Sequence, residues 1–196
     1  VLMGSMHTGL EERPDGAERL AAFYAERARH GVALIVTGGV APAPSGVTME
    51  GGAVLNDASQ LPHHRIVTDA VHREGGKIAL QILHTGRYSY QPNLVAPSAI
   101  QAPINRFTPH ALSHDEILAL IDDFARCAAL AREAGYDGVE VMGSEGYLIN
   151  EFLTLRTNQR DDQWGGEYAN RMRFAVEVVR AVRQRAGNDF IIIFRL

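Results

Sequence analysis

Short apolar runs alternate with longer segments of helical periodicity along the whole chain. The apolar runs are rich in β-branched residues and predict strands at residues 1–6, 32–37, 77–83, 138–142 and 189–195. Segments with apolar residues spaced three and four apart predict helices at residues 17–30, 62–74, 114–133 and 166–186. Because continuous apolar strands are each followed by a crossover helix, the pattern predicts a parallel sheet buried on both faces.

Local signals support several of these segments. Ser113 and Glu116 have the spacing of a capping box and open the helix that runs to Glu133. Residues 84–112 form a long loop rich in Pro, Asn and Gln, and loops of this length are usually functional. The last helix is expected to turn its apolar side chains inward, namely Met172, Val176, Val179 and Val182.

Two parallel architectures fit this order: an open doubly wound sheet and a (β/α)8 barrel. No predicted strand is followed by G-x-G-x-x-G, which removes support from the dinucleotide-binding form of the open sheet. A complete barrel needs about 250 residues. Five strands in 196 residues, with apolar runs at both ends, match about the first five β/α units. The sequence therefore predicts an incomplete (β/α)8 TIM barrel of the α/β class, with residues 1–196 as its N-terminal fragment.

Composition and charge narrow the function classes. The chain is 46% hydrophobic and 21% charged, as in ordinary globular domains. Its net charge of −4 is dispersed, so it lacks the clustered basic face of a nucleic-acid-binding protein. Its apolar runs are shorter than the ~20 residues of a membrane span, and no signal-peptide pattern opens it. The single cysteine, Cys127, excludes an internal disulfide, and we expect a reduced cytoplasmic enzyme.

Catalytic groups of a barrel follow the C-terminal ends of its strands. The side chains at those positions comprise amides, hydroxyls, histidines, an arginine and a tyrosine. They lack the clustered Asp, Glu and His set of a metal hydrolase, and the chain has no G-x-S-x-G elbow. Such an inventory suits polar recognition of a heteroaromatic ring together with proton donation, which is protein support for a cofactor's chemistry.

Two motifs stand at these strand ends. Residues 146–166 read GYLINEFLTLRTNQRDDQWGG, and residues 81–87 read QILHTGR. They resemble the signatures G-Y-L-x-x-x-F-L with N-x-R-x-D-x-[YW]-G-G, and Q-L-x-H-x-G-R, of the old yellow enzyme (NADH:flavin oxidoreductase) family; Ala-Pro-Ser at 96–98 is another family feature. Within that family, residues 4–10 (GSMHTGL) and 142–147 (MGSEGY) resemble the bacterial NADPH-dependent 2,4-dienoyl-CoA reductases. The resemblance implies an FMN-binding barrel followed by a 4Fe–4S segment and an FAD/NADPH module.

The resemblance also implies roles for individual residues. Those expected at the FMN are Ser5, Met6, His7, Gly39, Gln81 and Arg195. The Gln81 amide offers a donor and an acceptor to the flavin's pyrimidine edge, and Arg195 would stabilise negative charge on the reduced ring. Tyr147 would be the proton donor, because a phenol with a pKa of about 10 stays protonated at neutral pH. The expected substrate contacts are Arg156, Thr157, Asn158 and Gln159.

One departure from the wider family bears on the substrate. Many ene-reductases hold an enone carbonyl with a His-x-x-Asn or His-x-x-His pair, where this chain has Met142 and Glu145. The dienoyl-CoA reductases share this departure, which favours an acyl-CoA substrate. Glu145 is either an acid on the substrate side or a group that shapes its loop, and His84 either orders a loop or contacts the flavin. Arg195, taken alone, could equally be a structural ion-pair partner.

The leading expectation is reduction of 2,4-dienoyl-CoA thioesters in unsaturated fatty acid β-oxidation, with NADPH as electron source. Hydride would come from N5 of FMN and the proton from Tyr147. Two alternatives stay open: another NAD(P)H:flavin ene-reductase acting on α,β-unsaturated carbonyls, and a non-catalytic barrel that binds a phosphorylated ligand. FAD and 4Fe–4S are expected only outside these residues. Because phosphate-binding loops usually follow the last two barrel strands, the isolated fragment is expected to be inactive.

Overall fold

The computed structural model describes residues 1–196 and contains one five-stranded parallel sheet and one two-stranded sheet. The strands, in chain order, are β1 (Leu2–Met3), β2 (Leu34–Val40), β3 (Lys77–Ile82), β4 (Val95–Ala96), β5 (His110–Ala111), β6 (Gly138–Met142) and β7 (Ile191–Arg195). The α-helices are α1 (Gly16–Arg29), α2 (Leu61–Arg73), α3 (His114–Glu133), α4 (Leu148–Leu153), α5 (Tyr168–Arg171) and α6 (Arg173–Ala186).

Strand order decides between the two predicted architectures. The large sheet runs β1-β2-β3-β6-β7, with every neighbouring pair parallel. Spatial order thus follows chain order without reversal, whereas an open doubly wound sheet reverses at a switch point. The small pair β4–β5 lies within the long loop after β3. The predicted partial TIM barrel is confirmed.

The structure differs from the prediction most clearly at the first strand and at the last helix. The first strand is only Leu2–Met3, and the segment predicted as one helix from 166 to 186 is divided into α5 and α6. Met172 and Val176 were expected inward but are 38% and 42% exposed. At roughly 100° per residue they lie off the face that is actually buried. That face consists of Phe174, Ala175, Val178, Val182 and Ala186.

An aromatic cluster in the core ties the short helix α4 to the long helices. Phe152 of α4 stacks on Phe174 of α6 with ring centroids 4.3 Å apart, and Phe124 of α3 meets Phe174 edge-on at 6.3 Å. All three side chains are fully buried. Because α4 begins just after Tyr147, this packing fixes the position of the tyrosine's backbone. None of the helices combines the length and the apolarity that a membrane crossing requires.

The capping box predicted at the start of α3 is confirmed. The Glu116 backbone N–H donates to Ser113 Oγ at 3.3 Å, and the Ser113 N–H donates to the Glu116 carboxylate at 2.7 Å. Two backbone donors at the helix start, which have no partner inside the helix, are thereby satisfied.

We expect Ser113→Ala to lower the free energy of unfolding by about 1 kcal/mol, because one of these donors loses its acceptor. Ser113→Asp retains an acceptor and should stay close to wild type. Urea denaturation monitored by circular dichroism measures both. Equal losses in the two variants would show that the cap does not stabilise α3.

Candidate active site

Most of the predicted site residues lie at the C-terminal ends of the parallel strands. We call this edge of the sheet, with the segments that follow each strand, the rim. Gly39 of β2 is the register partner of Gln81 in β3, and Met142 of β6 is the partner of Arg195 in β7. The segment after β1 reaches the same place, since a Cβ built on Gly38 would lie 3.1 Å from Met6 O and 3.4 Å from His7 Cα. Five of the six predicted FMN contacts therefore lie at the ends of adjacent strands or in the segment after β1, and the sixth, Ser5, directly precedes Met6 in that segment.

Gln81 is buried and held by one neighbouring carboxylate. Its Nε2 donates to Glu140 Oε1 at 2.7 Å, from the residue directly opposite in β6. Its Oε1 faces Gly39, where a Cβ would lie 3.1 Å away. The same Cβ would come within 2.4 Å of Leu83 Cδ2, so only glycine fits at this point. Glu140 thus orients an amide whose acceptor oxygen remains available at the strand ends.

Arg195 forms an ion pair at the rim. Its Nη2 lies 2.5 Å from Glu145 Oε1, and both side chains are partly exposed. Glu145 has a φ of 64° and is the one non-glycine residue with positive φ. Such a backbone persists in a non-glycine residue when its surroundings hold it there. The ion pair therefore helps to shape the turn between β6 and Tyr147, while leaving a cation at the rim.

His7 lies at the exposed start of the rim beside two acids. Its Nε2 is 3.3 Å from Glu12 Oε1, and its Nδ1 is 3.9 Å from Glu11 Oε2. Half of its side chain is solvent-exposed. An imidazole in this position can donate or accept a hydrogen bond toward a ligand at the strand ends.

Tyr147 is half-buried at the N-terminus of α4. Its ring meets Tyr88 edge-on, with centroids 6.3 Å apart and planes at 89°. Burial, and then the negative charge of Glu145, raise the pKa of the phenol above its ordinary value of 10.0. The phenol therefore carries its proton throughout the physiological range and can give it up only to a strongly basic centre.

The four predicted substrate contacts divide into two pairs. Arg156 and Gln159 are exposed, so their side chains are free to meet a ligand. The Thr157 hydroxyl donates to Glu151 O at 2.8 Å, and Asn158 Nδ2 donates to Phe152 O and Trp164 O at 2.7 and 2.8 Å. The buried pair thus ties the loop to α4, and any contact of Thr157 and Asn158 with substrate stays a prediction.

His84 orders a loop. It is 2% exposed, its Nε2 lies 3.2 Å from Ser45 Oγ, and its Nδ1 accepts from the Gly86 N–H at 3.1 Å. Burial lowers its pKa to about 3, which leaves the imidazole neutral. With both ring nitrogens engaged inside the protein, His84 is a structural group of the turn after β3.

Glu151 is a functional candidate that the sequence analysis overlooked. It lies one turn after Tyr147 in α4, is 1% exposed, and accepts a hydrogen bond from the Arg87 N–H at 3.0 Å. Its Oε2 is buried without a partner. Burial raises its pKa to about 8. The signal in the sequence was an acidic residue directly before Phe152 and two residues after Ile149, within a segment that is otherwise mostly apolar.

Comparison with known protein families shows the family of this chain. Residues 1–196 match the NADH:flavin oxidoreductase / NADH oxidase family along their whole length. The chain belongs to this family. The structures of relatives agree: the chain superposes on a 2-naphthoyl-CoA reductase in complex with 2-naphthoyl-CoA with a TM-score of 0.91 and 28% identity, covering 100% of this chain and 32% of the other.

Two further relatives are similar to this chain at comparable levels of identity. Morphinone reductase in complex with tetrahydroNAD matches with a TM-score of 0.86 and 32% identity, over 99% of this chain and 59% of that one. The N,N-dimethylglycine/sarcosine dehydrogenase of Chromohalobacter salexigens is 39% identical over 186 residues, which is 91% of this chain and 27% of the relative. The chain thus spans less than two thirds of the length of these relatives.

The rim fits a flavin, and the family supports FMN as its cofactor. Because Leu83 and Gln81 leave no space for a side chain at Gly39, β2 places no side chain beside the Gln81 amide oxygen. Gln81 offers its free acceptor oxygen, and Arg195 brings a positive charge. Gln81 and Arg195 match the polar edge of an isoalloxazine better than they match a metal ion; the group at the rim with the ligand types of a metal site is His7 with Glu11 and Glu12.

The buried Glu151 should give stability a defined pH dependence. Its pKa of about 8 in the folded protein exceeds its ordinary 4.5, so between these values the folded protein holds a proton that the unfolded chain has lost. This stabilising contribution is full below about pH 4.5 and is lost as the pH rises through about 8. Arg87 is the charged group that faces the carboxyl.

Glu151→Gln cannot ionise and should therefore gain stability relative to wild type as the pH rises from about 5 to 8. Urea denaturation at several pH values and constant ionic strength measures the difference. The matched control is Glu133→Gln, which alters an exposed carboxylate. A constant difference between Glu151→Gln and wild type across this range would contradict the assignment of a buried, protonated carboxyl.

Proposed function

We propose that this barrel catalyses the FMN-dependent reduction of 2,4-dienoyl-CoA thioesters, with NADPH as the electron source and Tyr147 as the proton donor. The observation that carries the substrate assignment is the pair Met142 and Glu145, ahead of Tyr147. A thioether, and a carboxylate paired with Arg195, offer no hydrogen-bond donor, so neither can hold the oxygen of a simple enone. Activation must then come from the substrate's own extended conjugation and from the flavin rim.

The CoA thioester class has independent support. The 2-naphthoyl-CoA reductase, with a TM-score of 0.91, was solved with a conjugated CoA thioester bound. Arg156 and Gln159 are exposed beside the loop that holds Ser98, whose hydroxyl accepts from the Gln159 N–H at 3.0 Å. We assign these two side chains to the acyl-CoA, with the guanidinium toward its anionic groups.

The chain's own residues prepare the site for proton delivery. FMN, when bound and reduced, would supply the hydride. Gln81, oriented by Glu140, would align the polar edge of the ring, and Arg195 would balance negative charge there. Tyr147 would pass its phenolic proton to the substrate carbon on which negative charge develops, and its raised pKa keeps that proton in place until then.

Electron supply is the part of the proposal that lies outside these residues. We propose FAD and a 4Fe–4S cluster, in parts of the protein beyond this barrel segment, as the route from NADPH to FMN. The resemblance of residues 4–10 and 142–147 to the dienoyl-CoA reductases supports this route. A single-barrel ene-reductase is the second candidate, favoured by the likeness to morphinone reductase with its TM-score of 0.86.

We expect Tyr147→Phe to slow substrate reduction by about 10²-fold or more, the usual contribution of a positioned proton donor. The variant keeps the ring against Tyr88, so FMN binding should not change. Stopped-flow mixing of the reduced holoenzyme with a 2,4-dienoyl-CoA measures the rate, and flavin absorbance measures FMN content. A wild-type rate in Tyr147→Phe would remove Tyr147 from the chemistry.

The substrate class is tested with the purified holoenzyme. We expect kcat/KM for a 2,4-dienoyl-CoA to exceed that for cyclohexenone by about tenfold or more, a difference of about 1.4 kcal/mol in transition-state stabilisation. Preference for cyclohexenone would favour the second candidate. A protein that acquires no yellow flavin absorbance after saturation with FMN would favour a barrel without redox function.

A further inference from the structure

The turn after β3 and the turn before α4 are fitted into each other. Gly86 has a φ of 58°, and a Cβ on it would lie 2.3 Å from Glu151 Oε1. In return Gly146 has a φ of 80°, and a Cβ on it would lie 2.8 Å from Tyr88 Cε2. Each turn therefore uses a glycine to admit a side chain of the other, and neither glycine can be replaced without moving its partner.

Hydrogen bonds join the same two turns. The Leu148 N–H donates to His84 O at 3.1 Å, and the Arg87 N–H donates to Glu151 Oε1 at 3.0 Å. On the far side, Asn105 Nδ2 donates to Arg87 O and Ser89 O at 3.0 and 2.7 Å. The segment that carries Tyr88 is thus held from one side by the long loop and from the other by Glu151.

Tyr88 is the only part of this arrangement that meets the proton donor's ring. Its ring stands edge-on to Tyr147, with centroids 6.3 Å apart. An edge-to-face pair restrains the direction of both rings. A shift of the Gly86–Tyr88 turn would therefore move the ring against which Tyr147 packs.

We propose that Glu151 is a positioning residue, which holds the Gly86–Tyr88 turn so that Tyr88 fixes the phenol of Tyr147 in the direction required for proton delivery. This inference rests on the proposed function, in which Tyr147 donates the proton. Glu151 does not touch the substrate in this role. It acts through the Arg87 N–H and Tyr88.

The chemistry at position 151 suits a neutral acceptor. Oε1 accepts from the Arg87 N–H, whereas Oε2 is buried without a hydrogen-bond partner. An unpaired buried oxygen costs less free energy in a neutral carboxyl than in an anion. The raised pKa of Glu151 agrees with that state. Glutamine has the same shape and the same acceptor oxygen, so it should replace glutamate, whereas alanine should not.

The test compares Glu151→Gln, Glu151→Ala, Tyr147→Phe and the double variant Tyr147→Phe/Glu151→Ala, each as full-length holoenzyme. Each is reduced with dithionite and mixed either with a 2,4-dienoyl-CoA or with ferricyanide, an electron acceptor that needs no proton from the protein. Thr68→Ala is the stability control, because Thr68 is equally buried, donates to Ala134 O at 2.7 Å and belongs to the α2–α3 contact. Fluorotyrosine-labelled protein gives a second readout, in which the Tyr147 resonance is assigned by its loss in Tyr147→Phe.

We expect Glu151→Ala to slow reduction of the dienoyl-CoA by about 10–100-fold, the scale of a misplacement of about 1 Å. The ferricyanide reaction should stay at the wild-type rate, the Tyr147 fluorine resonance should move, and Glu151→Gln should behave as wild type in all three. The double variant should be no slower than Tyr147→Phe alone, because both changes remove one function. Thr68→Ala should leave both rates unchanged.

Two results would overturn the inference while leaving the proposed function intact: a wild-type dienoyl-CoA rate in Glu151→Ala, or effects of Tyr147→Phe and Glu151→Ala that multiply in the double variant. If Tyr147→Phe itself has the wild-type rate, the proposed function fails and the inference falls with it. Should Glu151→Ala not fold, Tyr88→Leu removes the ring through which Glu151 is proposed to act on Tyr147. This variant must then lose the dienoyl-CoA reaction and keep the ferricyanide reaction, and a wild-type rate with the dienoyl-CoA would equally overturn the inference.

Discussion

The parallel register of β3, β6 and β7 is the constraint on which the site depends. It sets Gln81 opposite Glu140 and Met142 opposite Arg195, so an amide, its supporting carboxylate and a cation reach the same rim. A slip of one residue would turn each of these side chains to the other face of the sheet. The apolar residues of β3 and β6 are buried and oppose such a slip. The polar rim is thus a consequence of core packing lower in the same strands.

Two buried carboxyl groups serve this rim in different ways. Glu140 gives its oxygen to the Gln81 amide and so faces the predicted flavin position. Glu151 gives its oxygen to a backbone N–H and so supports the turn against which Tyr147 packs. Buried acids are costly unless they are hydrogen-bonded or neutral, and these two meet that condition by a side-chain donor and by a raised pKa, respectively.

Much of the fold could be predicted from local pattern. The apolar strand at 138–142 and the capped helix at 114–133 have the predicted bounds, because periodicity and the Ser113–Glu116 pair are local signals. The inward face of the last helix was predicted only in part: Val182 is buried, whereas Met172 and Val176 are exposed, since an apolar spacing does not say which of two neighbouring stripes finds a partner. Helix α4 was missed because six residues are too few to establish a period.

The site was predictable in outline only. Motifs could nominate Gln81, Gly39, Tyr147 and Arg195, and the parallel sheet brings their segments together. The motif could not reveal that Thr157 and Asn158 bond to backbone carbonyls, nor that Glu151 meets Gly86, because those partners are distant in the chain. Contacts between two loops depend on tertiary packing. In a single sequence their only sign is a residue type that is unusual for its position, such as an acidic residue in an apolar segment.

The central claim is that this rim presents a flavin and the Tyr147 phenol to the same conjugated substrate. The most direct measurement is a crystal structure of the FMN-bound protein with an unreactive dienoyl-CoA analogue. The account predicts the flavin's polar edge at Gln81 and the Tyr147 hydroxyl within about 3.5 Å of a carbon of the conjugated chain. A flavin bound elsewhere, or a Tyr147 hydroxyl directed away from that chain, would contradict it.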